Sequence, residues 1–202
     1  MIRRILLTSI LLLASGLATA EQHLFYQPLS ADSRLSPLQW QGIWRTTRLK
    51  GVQTLIVQCT AYGDEDFGGR DGWLAQALRA ASQQKLELVL GLSMDPAYFQ
   101  RQRELDQQGL SFYWRNQLGR ALQQQRQLRD EWQLPVTGWY LPLELDDQQF
   151  RTPSSREELQ NLLSALTSQL DAPLHLSAYS AGILSPTVYA HWLTDLSTLG
   201  VQ

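Results

Sequence analysis

Cysteine is almost missing from this 202-residue chain. Cys59 stands alone, so no disulfide can close within the chain even in an oxidising compartment. It falls on the Leu55/Val57 side of an apolar stretch and reads as a buried structural thiol. Histidine is equally sparse. His23, His175 and His191 are scattered without metal-ligand spacing, so no metal site is expected, and His175 reads as an interior residue. No glycine-rich phosphate loop occurs, and no cofactor is expected. Charge of one sign is also lacking: 17 basic against 19 acidic residues leave a formal −2. That balance gives no electrostatic case for a nucleic-acid partner or an anionic membrane surface. The basic face between Gln100 and Arg129 is interrupted by Glu104, Asp106 and Asp130, as a solvated helix surface would be. Beyond the N-terminus no apolar run is long enough to cross a membrane.

The N-terminus is different. Arg3 and Arg4 precede an apolar run from Ile5 to Ala14, and Ala18-Thr19-Ala20 offers a small-residue cleavage site. This is the layout of a secretory signal peptide over residues 1–20, leaving one domain over 21–202. The expected location is periplasmic or secreted, with no membrane anchor after cleavage. An uncleaved amphipathic anchor is the alternative. No cysteine follows the run to support a lipoprotein anchor.

The rest alternates strand-like and helix-like segments. Strands are expected over Leu24–Leu29, Thr54–Thr60, Leu86–Ser93, Val136–Glu144 and Pro173–Tyr179. Helices are expected from Pro37 to Leu49, with Ser36 as N-cap and Gly51 as stop, and from Trp73 to Gln84. A long helical region from Asp95-Pro96 to Trp132, broken near Gly109, follows. Further helices start at Ser154 or Ser155 and run from Pro186 to Leu199. Such βα units predict an α/β fold with a parallel sheet. Lys50-Gly51-Val52-Gln53 is echoed by Leu199-Gly200-Val201-Gln202, so a sixth strand is expected to begin at the last residues. The fold class is a (β/α)8 TIM-barrel type truncated after about five βα units. Such an open sheet would expose its edges and one face unless it pairs with another copy, and the oligomeric state is left open.

Gly138-Trp139-Tyr140-Leu141-Pro142-Leu143-Glu144 carries the most information. Trp139, Leu141 and Leu143 alternate with Tyr140, Pro142 and Glu144, so Glu144 ends a strand on the face away from the helices. Strand C-termini are where α/β folds build function. The same pleat argument puts Gln27, Gln58, Thr60, Ser93, Ser177 and Tyr179 around one mouth with Glu144, and Tyr62, Asp95 and Asp146 complete the ligand-contact candidates. Hydrogen bonding among small polar groups inside a barrel is the bland alternative. Glu144 can serve as a glycosidase general acid, its pKa raised by partial burial beside Tyr140. Glycoside hydrolysis needs a second carboxylate roughly 5 to 9 Å away. Asp146, Asp64, Asp95 and Asp32 are the options within the chain.

Other motifs fall short. Asp64, Asp66 and Gly69 fail the EF-hand pattern, because Gly68 and Ala75 occupy ligand positions. Ala178-Tyr179-Ser180-Ala181-Gly182 lacks the first glycine of a nucleophile elbow, so Ser180 reads as a βα-loop residue. Phe112-Tyr113-Trp114 cannot all face one way on a helix, so at most one ring is free to stack on a ligand.

Leu24-Phe25-Tyr26-Gln27-Pro28, the Trp40 helix, Gly51 through Gln58, and Gly138 through Glu144 together resemble a bacterial domain-of-unknown-function family, number 4434, across Leu24 to Tyr179. That family looks like a glycoside-hydrolase-type TIM barrel. The resemblance implies a carbohydrate ligand, an acid/base position for Glu144, and pocket-lining positions for Gln27, Gln58 and Tyr179. Nothing in this chain matches the later strands that carry a nucleophile in related hydrolases. The function expected is a glycoside hydrolase acting on a polysaccharide. The alternative is a non-catalytic carbohydrate-binding or cell-envelope or exopolysaccharide assembly protein on the same scaffold.

Overall fold

The alternation of apolar faces resolves into parallel strands joined by helices. The computed structural model describes residues 21–202. The expected signal peptide lies outside the described residues. The elements are β1 (Gln22–Tyr26), α1 (Pro37–Leu49), β2 (Val52–Val57), β3 (Ala61–Tyr62), α2 (Trp73–Gln83), β4 (Glu87–Gly91), β5 (Ser93–Met94), α3 (Tyr98–Glu104), α4 (Gln107–Gln127), β6 (Val136–Asp146), α5 (Pro153–Thr167), β7 (Leu174–Tyr179) and α6 (Pro186–Thr198).

The main sheet has the order β1-β2-β4-β6-β7, with every neighbouring pair parallel. β3 and β5 pair in parallel beyond the ends of β2 and β4. Each new strand is laid on the same edge as the one before. Right-handed crossovers then put the helices on one face, whereas a doubly wound sheet reverses its order and covers both. Burial agrees. Leu55, Val57, Leu88, Leu90, Trp139, Leu141 and Leu174 join the buried side chains of the helices, such as Trp44, Leu78, Leu163 and Trp192, in one core. Beyond β7, Val201 bridges Leu174 in parallel, and Gln202 N donates to Leu174 O at 2.7 Å. The backbone at 201–202 thus takes the next parallel position, where a sixth strand was expected to begin.

The uncovered face is concave. Phe25 on β1 and Tyr140 on β6 are three strand spacings apart, about 14 Å in a flat sheet. Their ring centroids are 5.3 Å apart, edge to face. The sheet therefore curls as a half-barrel, with a mixed α/β architecture. Gly138 allows the curl locally, because a Cβ there would lie 2.7 Å from His175 Nε2.

β6 passes Pro142 without losing its facing. The β6–β7 register jumps from Tyr140↔His175 to Glu144↔Ser177, four residues on β6 against two on β7. Proline has no N–H to give the ladder, so it sits in an irregularity. Because the surplus is two residues, Tyr140 and Glu144 stay on the same face.

The helices follow their caps. Ser36 and Gln39 form a capping box on α1, and Gly51 (φ 94°) ends it in the left-handed region. Trp44 Nε1 donates to Ala77 O at 2.8 Å, tying α1 to α2. Two boundaries differ from expectation. The long helical region breaks at Leu105–Asp106, not Gly109: Asp106 caps α4 by accepting from Gly109 N, so the glycine lies in the first turn. α5 is capped by Thr152, one turn before Ser155. Phe112 is exposed while Tyr113 and Trp114 are buried, as three successive helical residues require.

Two glycines test the packing. A Cβ on Gly91 would lie 2.1 Å from Gln58 O, whereas one on Gly42, in α1, meets nothing within 4 Å. Gly91→Ala should lose about 1–3 kcal/mol in urea unfolding, through overpacking against backbone. Gly42→Ala should gain about 0.5–1 kcal/mol from helix propensity. Equal stability of Gly91→Ala and the parent chain would contradict the close β2–β4 approach.

Candidate functional site

Polar side chains gather where the concave face meets the strand C-termini. The register puts Gln58, Gly91, Tyr140 and His175 at one level, since Val57, Leu90, Trp139 and Leu174 pair one residue below. Gly91 has no side chain, and the Gln58 backbone lies where its Cβ would be, 2.1 Å away at Gln58 O. Tyr140 Oη and Ser177 Oγ share a hydrogen bond of 2.8 Å. Glu144 lies beside Ser177, one level higher. Burial raises the Tyr140 phenol above its ordinary pKa; the Ser177 hydrogen bond opposes that, and the neighbouring Glu144 charge adds to it. Burial and the nearby His23 lower the pKa of His175, favouring neutral imidazole on the concave face.

Glu144 is held through its backbone. Tyr98 Oη donates to Glu144 O at 2.7 Å, tying the strand end to α3. No hydrogen bond or ion pair among the described residues engages the Glu144 carboxylate. The side chain is partly buried.

The other candidates separate into available and committed groups. Gln27, Tyr62 and Tyr179 are exposed, and Ser93 is partly buried on β5. Gln58 Oε1 is fully enclosed yet has no hydrogen-bond partner. Thr60 does not reach the mouth. It is fully buried, its hydroxyl donates to Gly91 O at 2.7 Å, and Gln124 of α4 approaches it from the helix side. β2 ends at Val57, so strand alternation stops before Thr60. Asp95 is spent on its own loop: Ala97 N donates to Oδ1, and Arg101 and Tyr113 donate to Oδ2. Asp146 Oδ1 accepts from Gln149 N at 2.6 Å. Asp32 accepts from Tyr26 Oη and Leu29 N. Asp64 stays exposed on the turn after β3. Cys59 is buried, and burial, aided by the Glu65 charge, pushes its thiol up to about 12.

Sequence reasoning missed Asp147 and Tyr98. Asp147 is shielded from solvent. Its carboxylate accepts from Ala181 N at 2.6 Å and from Ile183 N and Leu184 N, each at 3.0 Å. It pins the β7–α6 loop to the end of β6. The adjacent acidic pair was visible, but the long-range amides it serves were not. On the outer, helical side, a cavity of about 620 Å3 lies between α4 and α5. Asp146, Gln149 and Glu158 reach it, and Ser111 donates to Glu158. Glu144 does not line it.

Among the described residues no group of three His, Cys, Asp or Glu is placed to hold a metal, and no helix is long and apolar enough to cross a membrane. A family profile described as a domain of unknown function (DUF4434) matches residues 23–202. The protein YbcH of Escherichia coli (strain K12), itself described as uncharacterized, is 34% identical over 197 residues, covering 95% of this chain and 66% of YbcH. The chain thus spans just under two thirds of that relative. A candidate alpha-L-fucosidase from Bacteroides thetaiotaomicron aligns with a TM-score of 0.55 and 15% identity, over 78% of this chain and 51% of that structure. At that identity the likeness shows a shared fold and says nothing of the reaction.

Asp147 gives the site a pH signature. Burial works against its charge, but the Leu184, Ala181 and Ile183 amides outweigh that and hold the carboxyl below its ordinary value. The unfolded chain titrates this group near pH ~3.9. The clamp's stability is therefore present above that pH and lost as pH falls through the lower native value. Asp171 is also held low, burial being outweighed by Arg129 and Trp139, and is lost over the same acid range. Thermal melts of the parent chain should fall steeply below about pH 4. Asp147→Asn should melt lower at neutral pH and show a shallower acid slope, Asp171 supplying the remainder. Equal acid slopes in the two proteins would refute the clamp.

Proposed function

The chain belongs to the DUF4434 family, and from that membership and the strand-end geometry we propose an exported carbohydrate-active protein with Glu144 as general acid/base of a glycoside hydrolase. The described chain would supply the first five βα units of a (β/α)8-type barrel. The observation that carries this reading is the uncommitted Glu144 carboxylate, at the end of the fourth main-sheet strand, beside the Tyr140–Ser177 hydroxyl pair. A partly buried carboxylate there can protonate a glycosidic oxygen, and hydroxyls beside it can orient sugar hydroxyls. Gln27, Gln58, Tyr62, Ser93 and Tyr179 would contact the ligand. Export rests on the N-terminal sequence pattern, with a periplasmic or secreted destination.

A second reading has its own observation. Asp32, Asp95, Asp146 and Asp147 each accept hydrogen bonds within the protein. Of the four carboxylates the sequence offers as partners, that leaves only Asp64 uncommitted among the described residues, on an exposed turn off the main sheet, which favours a non-catalytic glycan-binding or envelope-assembly role on the same scaffold.

Turnover and binding on a glycan panel separate the two. For a hydrolase, Glu144→Gln should cut kcat at least about 100-fold, the scale of general acid–base catalysis, with binding retained. Equal turnover by both proteins would remove Glu144 from the mechanism. Binding without turnover by either would establish the second reading.

A further inference from the structure

We infer that the strand-end face takes a cationic amino-sugar oligosaccharide, whose rings carry ammonium groups as well as hydroxyls. The inference rests on the carbohydrate reading above and narrows its ligand class. The first observation is charge. The strand ends and the segments that follow them, residues 27–36, 58–72, 92–106, 144–152 and 179–185, hold eleven carboxylates against five arginines. Their formal balance of −6 exceeds the −2 of the whole sequence, so the rest of the molecule is net basic. Carboxylates bound to backbone amides still carry their charge, and they act on this end of the sheet even where, as at Asp146, the side chain reaches the outer cavity.

The second observation is the hydrogen-bonding inventory. The Glu144 carboxylate can only accept and has no donor among the described residues. A partly buried acceptor left without a donor is costly, so Glu144 calls for a ligand rich in donors. An ammonium group supplies three donors and a positive charge. A uronate or phosphorylated sugar would bring further acceptors and a repelled charge.

The third observation is flat apolar surface. Tyr179 is 65% exposed and Phe25 47% exposed, one at the mouth and one on the concave face. Aromatic faces take up the C–H faces of sugar rings. A simple polyamine would use the charge and leave the rings idle.

The test is calorimetric titration of the full chain, in mildly acidic buffer, with three oligosaccharides of equal length: fully deacetylated glucosamine, N-acetylglucosamine and galacturonate. Spermine serves as a non-sugar cation. The deacetylated oligomer should bind about tenfold or more tighter than the acetylated one, galacturonate weakest, with the preference shrinking as salt rises. Glu144→Gln should reduce the preference. The double variant Asp64→Asn/Glu65→Gln, on an exposed turn, should reduce it without touching the core. Equal binding of the acetylated and deacetylated oligomers overturns the charge selectivity and leaves the carbohydrate reading standing. Spermine binding as tightly as the glucosamine oligomer overturns the sugar requirement. Binding of none of the four overturns both readings.

Discussion

A parallel sheet built by adding each strand to the same edge has one face for helices and one for itself. That constraint orders everything else in this protein. The helix side needs unbroken apolar residues at every second position, and β2, β4, β6 and β7 supply them with leucine, valine and tryptophan. The other side receives no helix. Its only route to burial is curvature, which brings side chains of distant strands together. Phe25 against Tyr140 is that closure at work, and Gly138 beneath His175 leaves room for it. A flat sheet would leave both rings in water, losing about 25 cal/mol for each Å2 of apolar surface that contact hides.

Curvature fixes the direction of the polar residues as well. Inward side chains converge toward one end as the strands run out. On β6 the irregularity around Pro142 lengthens the strand by two residues relative to β7, carrying Glu144 up without turning it away. Tyr98 then ties the Glu144 carbonyl to α3. The strand end is held by its backbone, and its carboxylate is left open.

Much of this was legible in the sequence because period-two alternation is a local signal. Trp139, Leu141 and Leu143 declare the helix side of β6, and Tyr140 and Glu144 declare the other. The signal fails where the strand stops. Thr60 continues the alternation of Gln58 on paper, but β2 ends at Val57, and the next residues turn the hydroxyl onto Gly91 O. Asp95 looked available because its partners, Arg101 and Tyr113, lie on helices whose approach no local pattern encodes. Asp147 was hidden for the same reason: its amide donors come from a loop more than thirty residues away. The helix break expected near Gly109 falls a few residues earlier for another cause. Glycine is read as a breaker, yet Asp106 makes the same stretch a good N-terminus, and capping overrides propensity.

The acidic character of the strand-end face has a structural origin. Asp66, Asp95 and Asp146 each accept a backbone N–H two or three residues ahead, and Asp32 accepts one three residues back, closing a turn. Aspartate suits that task because its short side chain reaches nearby amides. Loops built this way accumulate negative charge at one end of the sheet as a by-product of their geometry. Glu144 stands apart from them. It lies in a strand, its longer side chain closes no turn, and the backbone around it is already paired or held by Tyr98. Folding therefore gives no account of that carboxylate, whereas the charge around it would attract cations to it. A group that folding does not use, set in a field that folding produces, is where a ligand has most to gain.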